Sequence, residues 1–370
     1  MKLMMISGDR SILAGKKGAF WYTLEEMSKH WDRIDVICPR RSSNQLTSNQ
    51  QPFTNVFFHP SPWNPLRQPW WILQKGSELI AEHHHDVMTV HEYPPFYNGR
   101  GAMWLQRSTG VPFVLEVHHV VGYPKAASVT EWIGYQLSRF MLPREARHAA
   151  AVRCVSQEGN KVLQGFGIAP DKLHIISSFY LDHALLTPDH SIAKTHDVVC
   201  AARLVENKGL RELLIAIEKI PSVRLLLIGD GPLRQKLEGQ ATSLGIADRV
   251  TFTGWLPSQE DVAKAMQRGK IFVMNSQSEG GPRSSLEAMA LGLPVLSTHV
   301  GIMQEVIEDG KNGMFTTGEA EDLAGKIQKL LSDESLRTNL GQEAQRILDR
   351  FERKKLIEEY ANFLKQACLP

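Results

Sequence analysis

The stretch Ser278-Glu-Gly-Gly-Pro-Arg-Ser-Ser-Leu-Glu-Ala-Met-Ala-Leu-Gly-Leu-Pro-Val295 concentrates the residue types that do chemistry. It follows an apolar run, turns at Gly280, Gly281 and Pro282, and opens a helix at Arg283 to Ser285. Such a start aims free backbone N–H groups and the positive end of a helix dipole at one point beyond the strand. That point suits an anion, and a diphosphate in particular. Glu279 precedes the turn and Glu287 lies one turn into the helix. A carboxylate at either place can accept hydrogen bonds from vicinal hydroxyls, as an acidic residue does with ribose in dinucleotide folds. The plainer alternative is a loop leading into an ordinary helix.

The elements that would hold this loop recur along the chain. Short apolar runs alternate with longer segments of helical pattern. The runs are Lys2–Ser7, Ile34–Cys38, Val56–His59, Asp86–Val90, Pro112–Val117, Ala151–Val155 and Leu173–Ile176 in the first half. In the second they are Asp197–Ala201, Val223–Ile228, Arg249–Thr253, Lys270–Asn275 and Pro294–Ser297. Many are apolar throughout, as strands are when helices cover both faces of a parallel sheet. Two such series predict two doubly wound α/β domains. Residues 180–196 lack a sustained period and carry Pro188, which marks the break. The expected division is 1–182, 190–350, and a charged helical tail over 351–370.

The 370 residues carry 42 Lys+Arg and 40 Asp+Glu, a net charge of +2, balanced in both halves. A nucleic-acid binder needs a basic excess that neither half has. Four cysteines, Cys38, Cys154, Cys200 and Cys368, stand far apart with no metal spacing. Three lie in apolar runs as small hydrophobes, which fits a reducing, cytoplasmic setting. The first ten residues turn polar too soon for a signal peptide, and no run is long and apolar enough to span a bilayer. His83-His84-His85 cannot converge on one ion from a regular element and reads as a solvated turn, so no metal site is expected. Two segments mix aromatic and basic residues: Trp63–Trp71 and Glu131–His148. They read either as packed tryptophans or as a peripheral contact with the inner face of a membrane.

Glu279 and Glu287 form an E-x7-E pair, and their surroundings resemble the signature of retaining glycosyltransferase family 4, of GT-B fold. Ala202-Arg-Leu-Val-Glu-Asn-Lys-Gly209 is similar to the family's G-R-L-x-x-x-K-G segment. Ile228-Gly-Asp-Gly-Pro-Leu233 resembles its G-x-G-P turn, Phe252-Thr-Gly-Trp-Leu256 its F-x-G-x-[VL] element, and Val300 to Gly313 its G-G-x-x-E stretch. The resemblance implies two Rossmann-like domains facing across a cleft and a nucleotide diphosphate sugar as donor substrate, with no bound cofactor. UDP-sugars are the first expectation and GDP-mannose the next. Arg203 and Lys208 would bind the leaving diphosphate, Glu287 the ribose, and Glu279 the donor sugar. The backbone of Gly280, Gly281, Pro282, Arg283, Ser284 and Ser285 would serve sugar hydroxyls and phosphate. Gly229, Gly231, Pro232, Trp255 and Leu256 would lie near the base. In the first half the family's glycine-rich loop falls at Gly15, and a strand-ending histidine facing the transferred sugar at His118, with His119 its neighbour. The acceptor would be a glycan or lipid-linked sugar in surface-polysaccharide assembly, bound by the N-terminal domain. The tail helix, near Phe351–Lys365, would return to that domain.

Two departures stand out. Ser178-Phe-Tyr-Leu-Asp182 occupies the place of the family's Asn-Gly-[Val/Ile]-Asp, and Gly281 that of a bulky or aromatic residue, which implies a looser or larger sugar pocket. A non-catalytic nucleotide-binding partner of another transferase is the competing reading. A dehydrogenase is excluded, because no G-x-G-x-x-G opens a helix after the first strand.

Overall fold

A computed structural model describes residues 1–9, 12–14, 18–39 and 53–368. The chain divides into two units. One comprises Met1–Val121, Ile133–Ser178 and Lys354–Pro370; the other comprises Gly122–Trp132 and Phe179–Arg353. Fifteen residues inside the N-terminal span drawn from the sequence, 122–132 and 179–182, therefore belong to the second unit.

The first unit holds a seven-stranded sheet: β1 (Lys2–Ile6), β2 (Arg33–Cys38), β3 (Val56–Pro60), β4 (Val87–His91), β5 (Phe113–Val117), β6 (Ala151–Cys154) and β7 (Leu173–Ile175). Their spatial order is β3-β2-β1-β4-β5-β6-β7 and every pairing is parallel. The second unit holds six strands: β8 (His196–Ala201), β9 (Leu225–Ile228), β10 (Val250–Phe252), β11 (Gly269–Met274), β12 (Val295–Thr298) and β13 (Met314–Thr316). Their order is β10-β9-β8-β11-β12-β13, again all parallel. All twelve apolar runs are strands, with ends displaced by a residue or two. The thirteenth strand, β13, has no counterpart in the sequence reading.

The central strands are buried on both faces because helices cover both. In the second unit Leu213, Leu214 and Ile217 of the helix Leu210–Glu218 meet Val198, Leu225 and Ile271 of the sheet. In the first unit the helix Arg353–Gln366 buries Ile357, Tyr360 and Leu364 completely or nearly so. The three strand cysteines are buried thiols, as small hydrophobes should be.

Each sheet reverses its strand order once. In the second unit the chain runs outward through β8, β9 and β10, then crosses to start again at β11 beside β8. Loops leaving the carboxyl ends of two such neighbours diverge and leave a crevice, where ligands of open α/β sheets bind. In the first unit the reversal lies between β1 and β4.

Candidate functional site

The loops after β8 and β11 flank the reversal in the second sheet and are tied to each other. Gln277 donates its backbone N–H to the Asn207 carbonyl at 2.8 Å, and Asn207 Nδ2 donates to the Ser278 carbonyl at 3.0 Å. Asn275 Nδ2 donates to two carbonyls, Gly209 and Gly318, each at 3.0 Å. Gly209 has φ of +57°, and a Cβ there would overlap the Asn275 carbonyl. Asn275 and Asn207 have no reactive side chain, and nothing in their local sequence singles them out.

The helix Arg283–Ala290 starts at Pro282 with no side-chain cap. Ser284 Oγ donates to the Ala201 carbonyl at 2.7 Å, which fixes the helix start against the end of β8. Arg283 Nε meets Glu287 Oε1 at 2.9 Å, and Lys208 forms an ion pair with Glu279. Arg203 is exposed where β8 ends. Burial above all, and then the Arg203 charge, push the Lys208 ammonium down to about 8, against the opposing charge of Glu131.

On the other side of β8, the turn after β9 is stitched to its neighbours. Leu204 N–H donates to the Asp230 carbonyl at 3.0 Å and Leu233 N–H to the Leu204 carbonyl at 3.0 Å. Gly229, at φ +129°, donates to the Gly254 carbonyl at 3.1 Å. Trp255 follows with 66% of its surface exposed, Leu256 is half-buried and Pro232 is exposed. The carboxyl edge of one sheet thus gathers Arg203, Lys208, Gly229, Gly231, Pro232, Trp255, Leu256, the turn Glu279–Ser285 and Glu287.

His118 follows β5 in the first unit, and Gly15 lies outside the described residues. Beneath His118 is a carboxylate the sequence reading passed over. Glu116 is buried in β5 and accepts from Thr89 Oγ1, His118 Nε2 at 3.0 Å, Arg153 Nη1 and the Tyr360 hydroxyl, with His91 Nε2 at 3.3 Å. The signal was present: a glutamate interrupts the apolar run Phe113–Val117 and an arginine the run Ala151–Cys154. His91, Glu116 and His118 offer donor atoms within 4.8 Å of one another, a grouping a metal ion could use. Arg153 on the same carboxylate opposes a second cation there, so the group fits a hydrogen-bond network better than a metal. The triple histidine differs from the expected solvated turn. His83 ends a helix and His84 is its left-handed cap, but His85 is buried and its Nε2 meets Asp35 Oδ2 at 2.7 Å.

A family model described as Glycosyl transferases group 1 matches residues 188–347, and one described as Glycosyltransferase Family 4 matches residues 20–179. The chain belongs to the family 4 glycosyltransferases, of GT-B fold. It is 37% identical over 169 residues to the lipopolysaccharide core biosynthesis glycosyltransferase LpsE of Rhizobium meliloti, a match spanning 45% of this chain and 49% of that one. Among solved structures it resembles the sucrose-phosphate synthase of Thermosynechococcus elongatus, with a TM-score of 0.82 at 18% identity over 99% of this chain and 98% of that one. It also resembles HepE of Anabaena, solved with UDP and glucose, with a TM-score of 0.78 at 22% identity over 99% and 100%. At these identities the two structures speak for the fold.

In this glycosyltransferase the two sequence departures meet. A Cβ on Gly281 would overlap the ring of Phe179, which is itself buried. The space beside Gly281 is therefore filled by a side chain from the 178–182 segment, which corrects the expectation of a looser or larger pocket at this point. Gly281→Ala should destabilise the protein by about 1–3 kcal/mol, because the ring has to move. In a Phe179→Ala background the cost of Gly281→Ala should shrink, which a double-mutant cycle in denaturant melts reads directly.

Proposed function

We propose that this protein is a retaining glycosyltransferase that moves a hexose or N-acetylhexosamine from a nucleotide diphosphate sugar to a glycan or lipid-linked acceptor in surface-polysaccharide assembly. UDP-sugars are the favoured donors and GDP-mannose the next. The observation that carries this reading is the grouping of Arg203, Lys208 and Glu279 with the helix start at Arg283. Two cations and an uncapped helix start suit a diphosphate, and carboxylates beside them suit sugar hydroxyls. The UDP in the HepE structure supports a uridine donor.

In this reading the diphosphate draws Lys208 away from Glu279, which releases the carboxylate toward the donor sugar. Glu287 takes the ribose, and the base lies against Gly229–Pro232 and Trp255–Leu256. The acceptor hydroxyl, held by the first unit, attacks the anomeric carbon from the face the diphosphate leaves. The new C–O bond forms as the bond to the phosphate oxygen breaks, and that oxygen takes the hydroxyl proton. Arg203, Lys208 and the helix N–H groups stabilise the charge that develops. These groups fill the place of a divalent ion, so the reaction is proposed to be metal-independent.

A thermal-shift screen in EDTA tests the donor site. One nucleotide among UDP, GDP and ADP should stabilise the protein, by about 2.7 kcal/mol at a hundred times its Kd. Arg203→Ala combined with Lys208→Ala should remove the shift, and a response lost in EDTA would overturn metal independence. The Lys208 ammonium gives a second test. Its charge is present below pH 8 and lost above it, so the Kd of UDP measured by calorimetry should rise by up to about tenfold per pH unit beyond that point. Lys208→Arg should flatten the dependence.

The acceptor side adds a contact with a membrane. No helix among the described residues is long and apolar enough to cross one. The tryptophans of 63–71 are mostly occupied: Trp63 packs on Trp71, and Trp70, though exposed, edges against Trp104. The helix Val129–His148 instead exposes Ile133, Leu137 and Phe140 at helical spacing, with the Arg144 guanidinium over the Phe140 ring and Arg147 exposed beyond. An apolar stripe flanked by arginines fits an anionic lipid surface at the cytoplasmic face. The protein should co-sediment with phosphatidylglycerol vesicles and less with phosphatidylcholine alone. Ile133→Ser with Phe140→Ser should abolish the difference, and unchanged sedimentation would exclude this helix.

A further inference from the structure

The carboxylate of Glu116 decides the protonation of the histidines above it. Burial alone would raise its pKa, but the charges of His91 and Arg153 and the hydrogen bonds from both histidines hold it well below the usual carboxylate range. An ionised carboxylate only accepts, so each of its partners must bring the proton. His91 and His118 both meet Glu116 through Nε2, at 3.3 and 3.0 Å. Each histidine therefore carries a proton on Nε2, and in a neutral His118 ring Nδ1 carries the lone pair. Partial desolvation, opposed by the charge of Glu116, lowers His118 below the ordinary imidazole range and favours the neutral ring.

The carboxylate is also locked in place. Arg153 holds one oxygen while donating Nε to the Ile176 carbonyl at 3.1 Å and Nη2 to the Ser177 carbonyl at 2.7 Å. Its guanidinium lies 3.7 Å from the centre of the Tyr360 ring, and the Tyr360 hydroxyl and Thr89 bond to the other oxygen. Every direction in which Glu116 could rotate would break a buried charged hydrogen bond. His118 keeps 39% of its side chain exposed, so its free nitrogen is available while Nε2 is held.

We propose that Glu116 is a positioning residue that, clamped by Arg153 and Tyr360, fixes His118 as the Nε2–H tautomer and so presents Nδ1 as an acceptor for a hydroxyl of the bound sugar. This rests on the reading of His118 as the side chain that faces the transferred sugar. An acceptor at that point binds a hydroxyl and rejects a carbonyl or an ether, which gives the pocket a chemical preference as well as a shape.

Glu116→Gln tests it. The amide fits the same space but can offer N–H to Nε2, which moves the imidazole proton to Nδ1 and removes the acceptor. The expected result is a fall in kcat of about tenfold or more, the worth of one buried hydrogen bond, with the UDP thermal shift unchanged. Nitrogen NMR of the imidazole should show the His118 proton moved from Nε2 to Nδ1. Tyr360→Phe, which loosens the clamp without removing the carboxylate, should give a smaller fall. His118→Asn places an amide oxygen near the Nδ1 position, and in that background Glu116→Gln should have little further effect. An Nδ1–H tautomer in the wild type, or equal losses from Glu116→Gln with and without His118→Asn, would overturn the proposal. If His118→Ala left transfer unchanged, the underlying reading of His118 would fail instead, and absence of transfer by the wild type would remove the functional reading itself.

Discussion

Parallel strands end with backbone groups that no neighbouring strand satisfies, and the second sheet answers that constraint with one side chain. Asn275 leaves β11 and sends its amide to the carbonyls of Gly209, after β8, and Gly318, after β13. The three loops are thereby held at one level. Gly209 permits the left-handed turn this requires, and Asn207 closes the same gap from the other side. Much of the proposed donor site stands on this tie: the position of Lys208, the turn at Glu279 and the start of the helix at Arg283. A site held by backbone carbonyls and amides is preorganised in the way that charge stabilisation demands.

The first unit handles buried charge in two opposite ways within a few residues. Glu116, with Arg153 at hand, is ionised and accepts from every side. Glu92 and Glu145 meet in burial, and desolvation raises them to about 8 and about 10 against the weaker opposing charge of Arg100. They are held neutral. The same residue type thus serves once as a fixed negative charge and twice as an uncharged polar group, and the difference is a guanidinium bonded directly to the carboxylate of Glu116.

The strands were legible because parallel sheets covered on both faces leave continuous apolar runs. β13 escaped because three residues at a sheet edge, Met314–Thr316, leave too short a pattern to separate from a loop. The loops at the carboxyl edge of the second sheet were legible as loops because their glycines and charges lie in contiguous stretches. Glu116 was not, since its partners come from Thr89, Arg153 and Tyr360, the last 244 residues away. Phe179 and Gly281 read as two unrelated oddities until the fold set one against the other. Long-range complementarity of this kind leaves no local trace in a sequence.

The place of Tyr360 has a consequence for the order in which the molecule is completed. Residues 354–368 belong with the first unit, and Tyr360 finishes the hydrogen bonding of a carboxylate in its central sheet. A ribosome delivers the other residues of that unit early and these only after the entire second unit has emerged. During synthesis the earlier-made sheet waits with an unfinished charged core while the later-made one can close on its own. The part of the protein that is made first is the part that is finished last.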